Sequence, residues 1–232
     1  MQTNTIGSSN TAVGSAALSN NTIGINNAAL GNGALGVNTI GSNNIAVGSL
    51  AGTALVTGSN NIYIGNVGGG AAEAATIRVG TAGTQTRFFA AGIRGVVTGI
   101  ADAIPVLIDS AGQLGTVSSS RRFKHNIQDM NAASANIYGL RPVTFVYNGD
   151  QSETRQYGLI AEEVEGVFPS IVVKDEIGQP ETVQYHVLPI LLLNEMKKQH
   201  ADIRNLNATV AAMNVVINTL QSQIKDLLKR IK

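Results

Sequence analysis

The sequence of 232 residues contains neither cysteine nor tryptophan, and residues 1–72 contain no charged side chain and no histidine. Without cysteine, the chain cannot form a disulfide or a thiolate metal site. A segment without charge cannot use salt bridges to fix its register, so its order has to come from backbone hydrogen bonds and the packing of small residues. This absence favours a regular stacked β structure in the amino-terminal part.

Further absences exclude several classes of function. The formal net charge is only +1, and the basic residues are not interleaved with aromatics as they are on nucleic-acid surfaces. No apolar run is long enough to span a membrane, and the first residues lack the basic region and apolar core of a signal peptide. His125, His186 and His200 do not have the spacing of metal ligands. We therefore expect no cofactor, metal, nucleic-acid partner or membrane insertion, and synthesis in the cytoplasm.

An internal repeat divides the beginning of the chain into four units of equal length, which are residues 4–20, 21–37, 38–54 and 55–71. Two glycines recur in each unit, and an apolar residue such as Ile6 or Val13 precedes most of them. The glycines are Gly7, Gly24, Gly41 and Gly58, and Gly14, Gly31, Gly48 and Gly65. Each unit is predicted to form two very short strands, each with an inward apolar residue and a glycine at the following corner. Such a unit buries a face only by stacking on its neighbours.

Two pieces of this repeat, at residues 10–14 and 43–48, read Asn-Thr-Ala-Val-Gly and Asn-Asn-Ile-Ala-Val-Gly. They resemble the head repeats of trimeric autotransporter adhesins, although the unit here is slightly longer. The resemblance implies a left-handed parallel β-roll assembled from three chains and an extended surface fibre. It identifies no receptor.

Residues 72–118 have a different character. Runs of β-prone residues at 75–79, 86–89, 103–108 and 113–117 alternate with glycine-rich turns, which predicts a β-rich stalk. Arg78, Arg87 and Arg94 either contact an acidic ligand or, as is more usual, lie on solvated strand faces or in pairs between chains.

Composition and periodicity change again across the stretch Ser118-Ser119-Ser120-Arg121-Arg122-Phe123-Lys124-His125-Asn126-Ile127. A serine hydroxyl is a nucleophile, and a lysine that has lost its proton is a general base. Neighbouring arginines help, since positive charge nearby lowers a lysine pKa. The offset between Ser119 and Lys124 does not bring them together on a regular strand or helix, so a turn or bulge is required. From the residues alone, the stretch is either a self-cleavage site or a hinge between two domains.

The same stretch resembles the entry to the intramolecular chaperone domain of endosialidase-type tailspikes, where the usual pattern is Ser-Asp-x-Arg-Leu-Lys-x-Asn-Ile. Three later stretches follow in the order of that family: Leu140-Arg141-Pro142-Val143-Thr144-Phe145, Tyr157-Gly158-Leu159-Ile160-Ala161-Glu162-Glu163-Val164, and Val183-Gln184-Tyr185. The resemblance implies that Ser119 and Lys124 form an autoproteolytic dyad that cuts the bond between Ser118 and Ser119. It also implies a homotrimeric folding aid that is released by the cut. Because Ser120 replaces the usual aspartate, the nucleophile stays open among the three serines.

The rest of this domain is predicted to be α+β over residues 128–185. The pattern indicates helices at Asn131–Tyr138 and Ala161–Val167 and strands at Pro142–Tyr147 and Arg155–Ile160. Glutamates occur at 162, 163 and 165 without any metal-ligand partner, which suits a solvated helix face or a salt bridge within a trimer.

The last segment, residues 186–232, has apolar residues in alternating steps of three and four. They are Ile203, Leu206, Val210, Met213, Ile217, Leu220, Ile224, Leu227 and Ile231. This spacing predicts a coiled-coil helix. The core pattern alone permits a dimer, but Val216 and Leu228 widen the apolar face and favour a third helix. Together with the resemblance, this leads us to expect an intertwined homotrimer.

The sequence therefore predicts four parts: β-roll repeats at 1–71, a β-rich stalk at 72–118, an α+β chaperone core at 119–185 and a coiled-coil helix at 186–232. The expected function is that of a phage tail-fibre or tailspike protein whose carboxy-terminal domain trimerises and folds the fibre, then cuts itself off as a single-turnover serine peptidase. The alternative is a bacterial surface adhesin with a permanent, uncleaved trimerisation module. A host-surface receptor is expected in either case, of a type that the sequence does not identify.

Overall fold

The computed structural model describes residues 2–230, and the chain divides into two compact units, one ending at Gly99 and one beginning at Ile100. The amino-terminal unit is a β-solenoid whose strands form one parallel five-stranded sheet in chain order. These strands are β1 (Thr11–Val13), β2 (Ala28–Leu30), β3 (Ile45–Val47), β4 (Ile62–Ile64) and β5 (Ile77–Val79). The stacked β structure predicted from the charge-free repeats is confirmed.

The register of the sheet reproduces the sequence repeat. Ala12 pairs with Ala29, Ala29 with Ala46, and Ala46 with Tyr63, so each coil advances the chain by one repeat unit. The last coil is shorter, since Tyr63 pairs with Arg78, whereas a full unit would place its partner at Gly80. Because each regular coil repeats the same backbone pairing, the length of the sequence repeat sets the register between these coils.

The direction of the apolar side chains was predicted wrongly. Each described coil contains one strand rather than two, and the residue before the glycine points outward: Val13 is 55% exposed and Leu30 is 51% exposed. In a strand this short the outer two side chains share one face and the middle one takes the other. The narrow interior therefore receives the small middle residues Ala29 and Ala46, which are buried.

Leucines such as Leu18 and Leu35 also lie in the interior, and buried asparagines form two ladders beside them. In one ladder, Asn38 Nδ2 donates to Asn21 Oδ1 at 3.0 Å; in the other, the backbone N–H of Asn44 donates to Asn27 Oδ1 at 2.9 Å. These amides satisfy the polar groups of coil corners that do not pair in the sheet. The first ladder stops at Leu55, which occupies the next equivalent position, and Asn38 Oδ1 has no hydrogen-bond partner among residues 2–230.

The last coil closes the solenoid with the first charged residues of the chain. The Tyr63 hydroxyl donates to Glu73 Oε2 at 2.9 Å, and the Arg78 guanidinium binds Glu73 with an Nη2–Oε1 distance of 2.6 Å. Gly52 provides room for the buried Tyr63 ring, because a Cβ at that position would lie 3.0 Å from it. Arg78 thus lies in strand β5 with a partly exposed side chain, as one of the predicted alternatives has it, and its ion pair is with Glu73 of its own chain.

The carboxy-terminal unit is a small α+β domain followed by a long helix. Its strands pair as antiparallel hairpins: β6 (Leu107–Ile108) with β7 (Leu114–Gly115), β8 (Val143–Phe145) with β9 (Gln156–Gly158), and β10 (Val172–Lys174) with β11 (Pro180–Val183). Short 3-10 helices lie at Arg121–Phe123, Asn131–Gly139, Pro169–Ile171 and Tyr185–Val187. The α-helices are α1 (Ala161–Val167) and α2 (Leu188–Arg230). The predicted stalk strand at 86–89 is not formed, and the predicted helix at 131–138 is a 3-10 helix.

The core of this domain is small, and most of α2 lies outside it. The buried residues are Val164, Phe168, Ile171, Val183 and Leu191. Every residue of α2 from Ala201 to Arg230 is exposed. The predicted seam residues from Ile203 to Leu227 are 46–62% exposed, while Ile231 lies outside the described residues. The long helix is confirmed, and its apolar seam has no partner within the described chain.

Candidate functional site

The segment that follows hairpin β6–β7 forms one turn of 3-10 helix in the stretch of the predicted cut. Ser120 begins this turn, and its Oγ accepts hydrogen bonds from the backbone N–H and the Nε of Arg122 at 3.4 and 3.2 Å. Ser118 Oγ accepts from the backbone N–H of Ser120 at 3.3 Å. A short polar side chain before a helix commonly caps it in this way. Two of the three adjacent serines therefore use their side chains to shape the turn.

Ser119 differs from its two neighbours. It is exposed, and its hydroxyl has no hydrogen-bond partner among residues 2–230. Lys124 ends the 3-10 turn, where its backbone N–H donates to Arg121 O at 3.1 Å, and it is also exposed. The turn that a Ser119–Lys124 dyad requires is thus present between the two residues. Within the described single chain, however, no hydrogen bond joins their side chains.

The three later stretches that carry the resemblance meet in the folded domain. The Tyr185 hydroxyl accepts from the backbone N–H of Leu159 at 2.8 Å. Arg141 forms an ion pair with Glu163, and this guanidinium lowers the pKa of the Glu163 carboxyl below its usual value. Glu165 pairs with Lys174 at 2.6 Å. These residues hold the domain together, and the carboxylates are engaged in ion pairs rather than poised for acid–base chemistry.

An apolar groove runs between the β8–β9 hairpin and the start of α2. It encloses about 1020 Å³ and is lined by residues that include Ile137, Leu140, Phe145, Leu188 and Leu192. Binding sites for small molecules usually combine an apolar pocket with convergent polar groups. This groove is mainly apolar, with Arg141, Thr144 and Tyr157 as the polar side chains of its lining, and no cluster of metal-ligating side chains occurs in the part of the chain that the structure describes. Nor does that part contain a helix with the length and apolarity of a membrane span.

Sequence reasoning missed a buried polar cluster at the point where α2 leaves the domain. Ser134 is fully buried, and its hydroxyl donates to Glu195 Oε1. Lys198 Nζ lies 2.6 Å from the same carboxylate oxygen, and these two contacts lower the pKa of Glu195. Asn194 Nδ2 donates to Ser134 Oγ at 2.6 Å. The one sequence signal was a glutamate on the otherwise apolar first turns of the helix, which does not reveal a partner 61 residues away.

Comparison with known families agrees with the site geometry. The family model described as chaperone of endosialidase, which carries the name of a peptidase family, matches residues 119–173. The match begins at Ser119 and includes Lys124, the 3-10 turn between them, and α1. A search of curated proteins found no match to this chain. The chain therefore carries an endosialidase-type chaperone domain that follows a β-solenoid.

Proposed function

We propose that the chain is a homotrimeric fibre protein of a phage tail or a related apparatus. Its carboxy-terminal domain brings three chains together, guides the folding of the solenoid and stalk, and then cuts the bond between Ser118 and Ser119. The observation that carries this proposal is the family match at residues 119–173, which starts at the serine whose hydroxyl has no partner in the described chain. The fibre then belongs to a virion tail or is displayed on a bacterial surface, where it meets a receptor.

Two exposed apolar surfaces support the trimer. The seam of α2 presents eight apolar residues from Ile203 to Leu227 at heptad spacing, and an isolated helix gains nothing from that regularity. The outer face of the solenoid sheet presents another row, in which Val47 is 39% and Val79 is 54% exposed. Contiguous apolar surfaces of this kind mark protein interfaces. Both surfaces repeat along their length, so copies of the same chain match their spacing.

The proposed chemistry is an acyl shift followed by hydrolysis. Ser119 Oγ attacks the carbonyl carbon of Ser118 while Lys124 accepts the hydroxyl proton, and the peptide C–N bond breaks as Lys124 returns that proton to the leaving amine. Water then hydrolyses the resulting ester. The products are a carboxylate on Ser118 and a free amine on Ser119, so the reaction occurs once in each chain.

Assembly is expected to control this reaction. A lysine has a reference pKa of about 10.4 and acts as a base near neutral pH only after burial and neighbouring positive charge lower that value. Ser119 and Lys124 are both exposed in one chain and share no hydrogen bond there. Docking of the neighbouring chains is expected to bury Ser119 and Lys124, so that only chains in a completed trimer are cut. After the cut, release of the chaperone makes unfolding hard to reverse and raises a kinetic barrier.

A gel of the purified full chain, with amino-terminal sequencing of its fragments, tests the proposal. The wild-type chain is expected to yield a fragment that begins at Ser119. Ser119→Ala and Lys124→Ala are expected to give folded but uncut trimers, whereas the matched controls Ser118→Ala and Ser120→Ala still cut. A new terminus at Ser120 or Arg121, or normal cutting of Ser119→Ala, would show that another serine is the nucleophile. An intact wild-type trimer would instead favour the permanent adhesin module.

A further inference from the structure

The buried polar cluster connects α2 to a single other element, the 3-10 helix Asn131–Gly139. Besides the bonds to Ser134, Asn194 Nδ2 donates to Asn131 O at 2.9 Å, and Gln199 Nε2 donates to the Tyr138 hydroxyl at 2.8 Å. The contacts therefore reach the beginning, the middle and the end of the same 3-10 helix. We refer to this set of residues, Asn131, Ser134, Tyr138, Asn194, Glu195, Lys198 and Gln199, as the α2 joint.

The α2 joint holds its two elements together by side-chain hydrogen bonds rather than by apolar packing alone. Ser134 is 0% exposed and Glu195 is 6% exposed, so the hydroxyl and the carboxylate are held away from water, while the Lys198 side chain remains partly exposed. An ion pair with one buried partner adds little net stability compared with apolar residues of similar volume. A fully satisfied polar network does, however, specify one geometry, because a displaced partner leaves a buried polar group unpaired. The joint is therefore suited to fixing position.

The 3-10 helix lies close in sequence to the segment that is proposed to cut itself. Asn131, its first residue, lies only seven positions after Lys124. Met130, directly before it, packs against the buried core of the domain. The intervening chain turns at Asn126, where φ is 51°. So short a connection limits how far the Ser119–Lys124 segment can lie from the 3-10 helix.

We propose that Asn194 and Glu195 are positioning residues for the self-cleavage. They fix the Asn131–Gly139 helix to the base of α2, so that the placement of Ser119 and Lys124 follows the placement of α2 in the trimer. This inference rests on the proposed function and adds to it the route by which assembly controls the cut. Association along the α2 seam sets the position of the helix base, and the joint transmits that position to the cleavage segment.

The test measures cutting within trimers for full-length Glu195→Ala, Glu195→Gln and Asn194→Ala. Trimer is quantified by light scattering, and the rate of cutting is followed on gels of the trimeric fraction. The matched control is Glu165→Gln, which removes an equal charge from an ion pair with the same 2.6 Å distance, but one that is exposed and not part of the joint. The melting temperature of each uncut trimer is measured in a Ser119→Ala background.

We expect Glu195→Ala and Asn194→Ala trimers to cut roughly 10–100-fold more slowly, since a small displacement of reacting groups has an effect of that size. Glu195→Gln keeps an acceptor for the Ser134 hydroxyl and is expected to recover part of the rate. The control is expected to cut at the wild-type rate. A purely structural role would lower the melting temperature, trimer yield and cutting together, with no slow-cutting trimer, and would overturn the inference.

The outcomes separate this inference from the proposed function. If wild-type trimers cut and the joint variants form trimers that cut equally fast, the inference is wrong while the proposed function stands. If wild-type trimers do not cut, the self-cleavage itself is wrong, and the inference falls with it.

Discussion

The solenoid completes its interior within one chain, whereas the carboxy-terminal unit leaves most of its longest helix, from Ala201 to Arg230, without a partner in the described chain. Stacked coils bury Leu18, Leu35 and Tyr63 and satisfy their corners with asparagine ladders. In the other unit, the exposed part of α2 begins at Ala201 and continues for the rest of the described helix. Repetition along one chain supplies neighbours for each coil, while a lone heptad helix depends on other chains. The comparison thus favours α2 as the main element through which the proposed trimer assembles.

Deleting residues 186–232 is expected to have the largest effect, because it removes the helix that is proposed to bring the chains together. Without these residues, the uncharged apolar outer face of the solenoid has no helix bundle to organise the chains. We expect the repeats to aggregate or to remain unfolded, as measured by light scattering and by the soluble fraction after sedimentation. Lys229→Ala, which removes an exposed residue paired with Asp226 at 3.8 Å, serves as the control. Soluble trimeric repeats formed without the carboxy-terminal half would contradict the chaperone role.

Gly31→Ala is expected to disrupt the solenoid alone. Gly31 has φ of 138°, and a Cβ at that position would lie 2.3 Å from the carbonyl oxygen of Gly48 in the next coil. Backbone strain of this kind costs about 1–3 kcal/mol, and the overlap with backbone atoms adds to it. The expected result is a lower unfolding midpoint of the solenoid by circular dichroism. Gly149→Ala, at a site with no atom within 4 Å of the added Cβ, is the matched control. Equal midpoints for the two variants would mean that the coils are less closely stacked than described.

Acid is expected to have the smallest effect on the solenoid, and there it acts on the last coil. Hydrogen bonding to Arg78 is the main cause that lowers the pKa of Glu73 from 4.5 to about 2. Because the folded pKa lies below the unfolded one, this stabilisation is complete above pH 4.5 and decreases as the pH falls toward 2. The protection factors of the amides in the last coil against hydrogen exchange should therefore fall over that interval. Arg78→Ala should remove most of this pH dependence, and an unchanged profile in that variant would rule out the ion pair as its cause.

Features that depend on local order in the sequence were predictable. The repeat predicted the spacing of four of the strands, and helix α1 has the bounds Ala161–Val167 that capping and proline signals indicated. The turn at Arg121–Phe123 also agrees with the need to change direction between Ser119 and Lys124. Short-range steric and hydrogen-bond rules are enough for such elements.

Features that depend on distant partners were not predictable. The β10–β11 hairpin was missed, although Val172 and Val173 precede a turn at Gly178, because two short runs do not reveal their pairing. Side-chain direction in the coils was wrong, since the width of the interior is set only when coils stack. The α2 joint was missed because Ser134 and Glu195 are far apart in the sequence. The dyad of Ser119 and Lys124 stays a prediction.

The short last coil has a consequence for how identical chains find each other. From Ala12 to Tyr63 every coil is offset by the same repeat unit, so a chain that slid past its neighbour by one coil would still match nearly the same side chains. The regular repeats alone therefore do not favour one register over another that is shifted by one coil. In the proposed trimer, the shorter coil would distinguish one register from the others, because Glu73 and Arg78 occur there and in no earlier coil. One irregular coil is enough to define the position of all the regular ones.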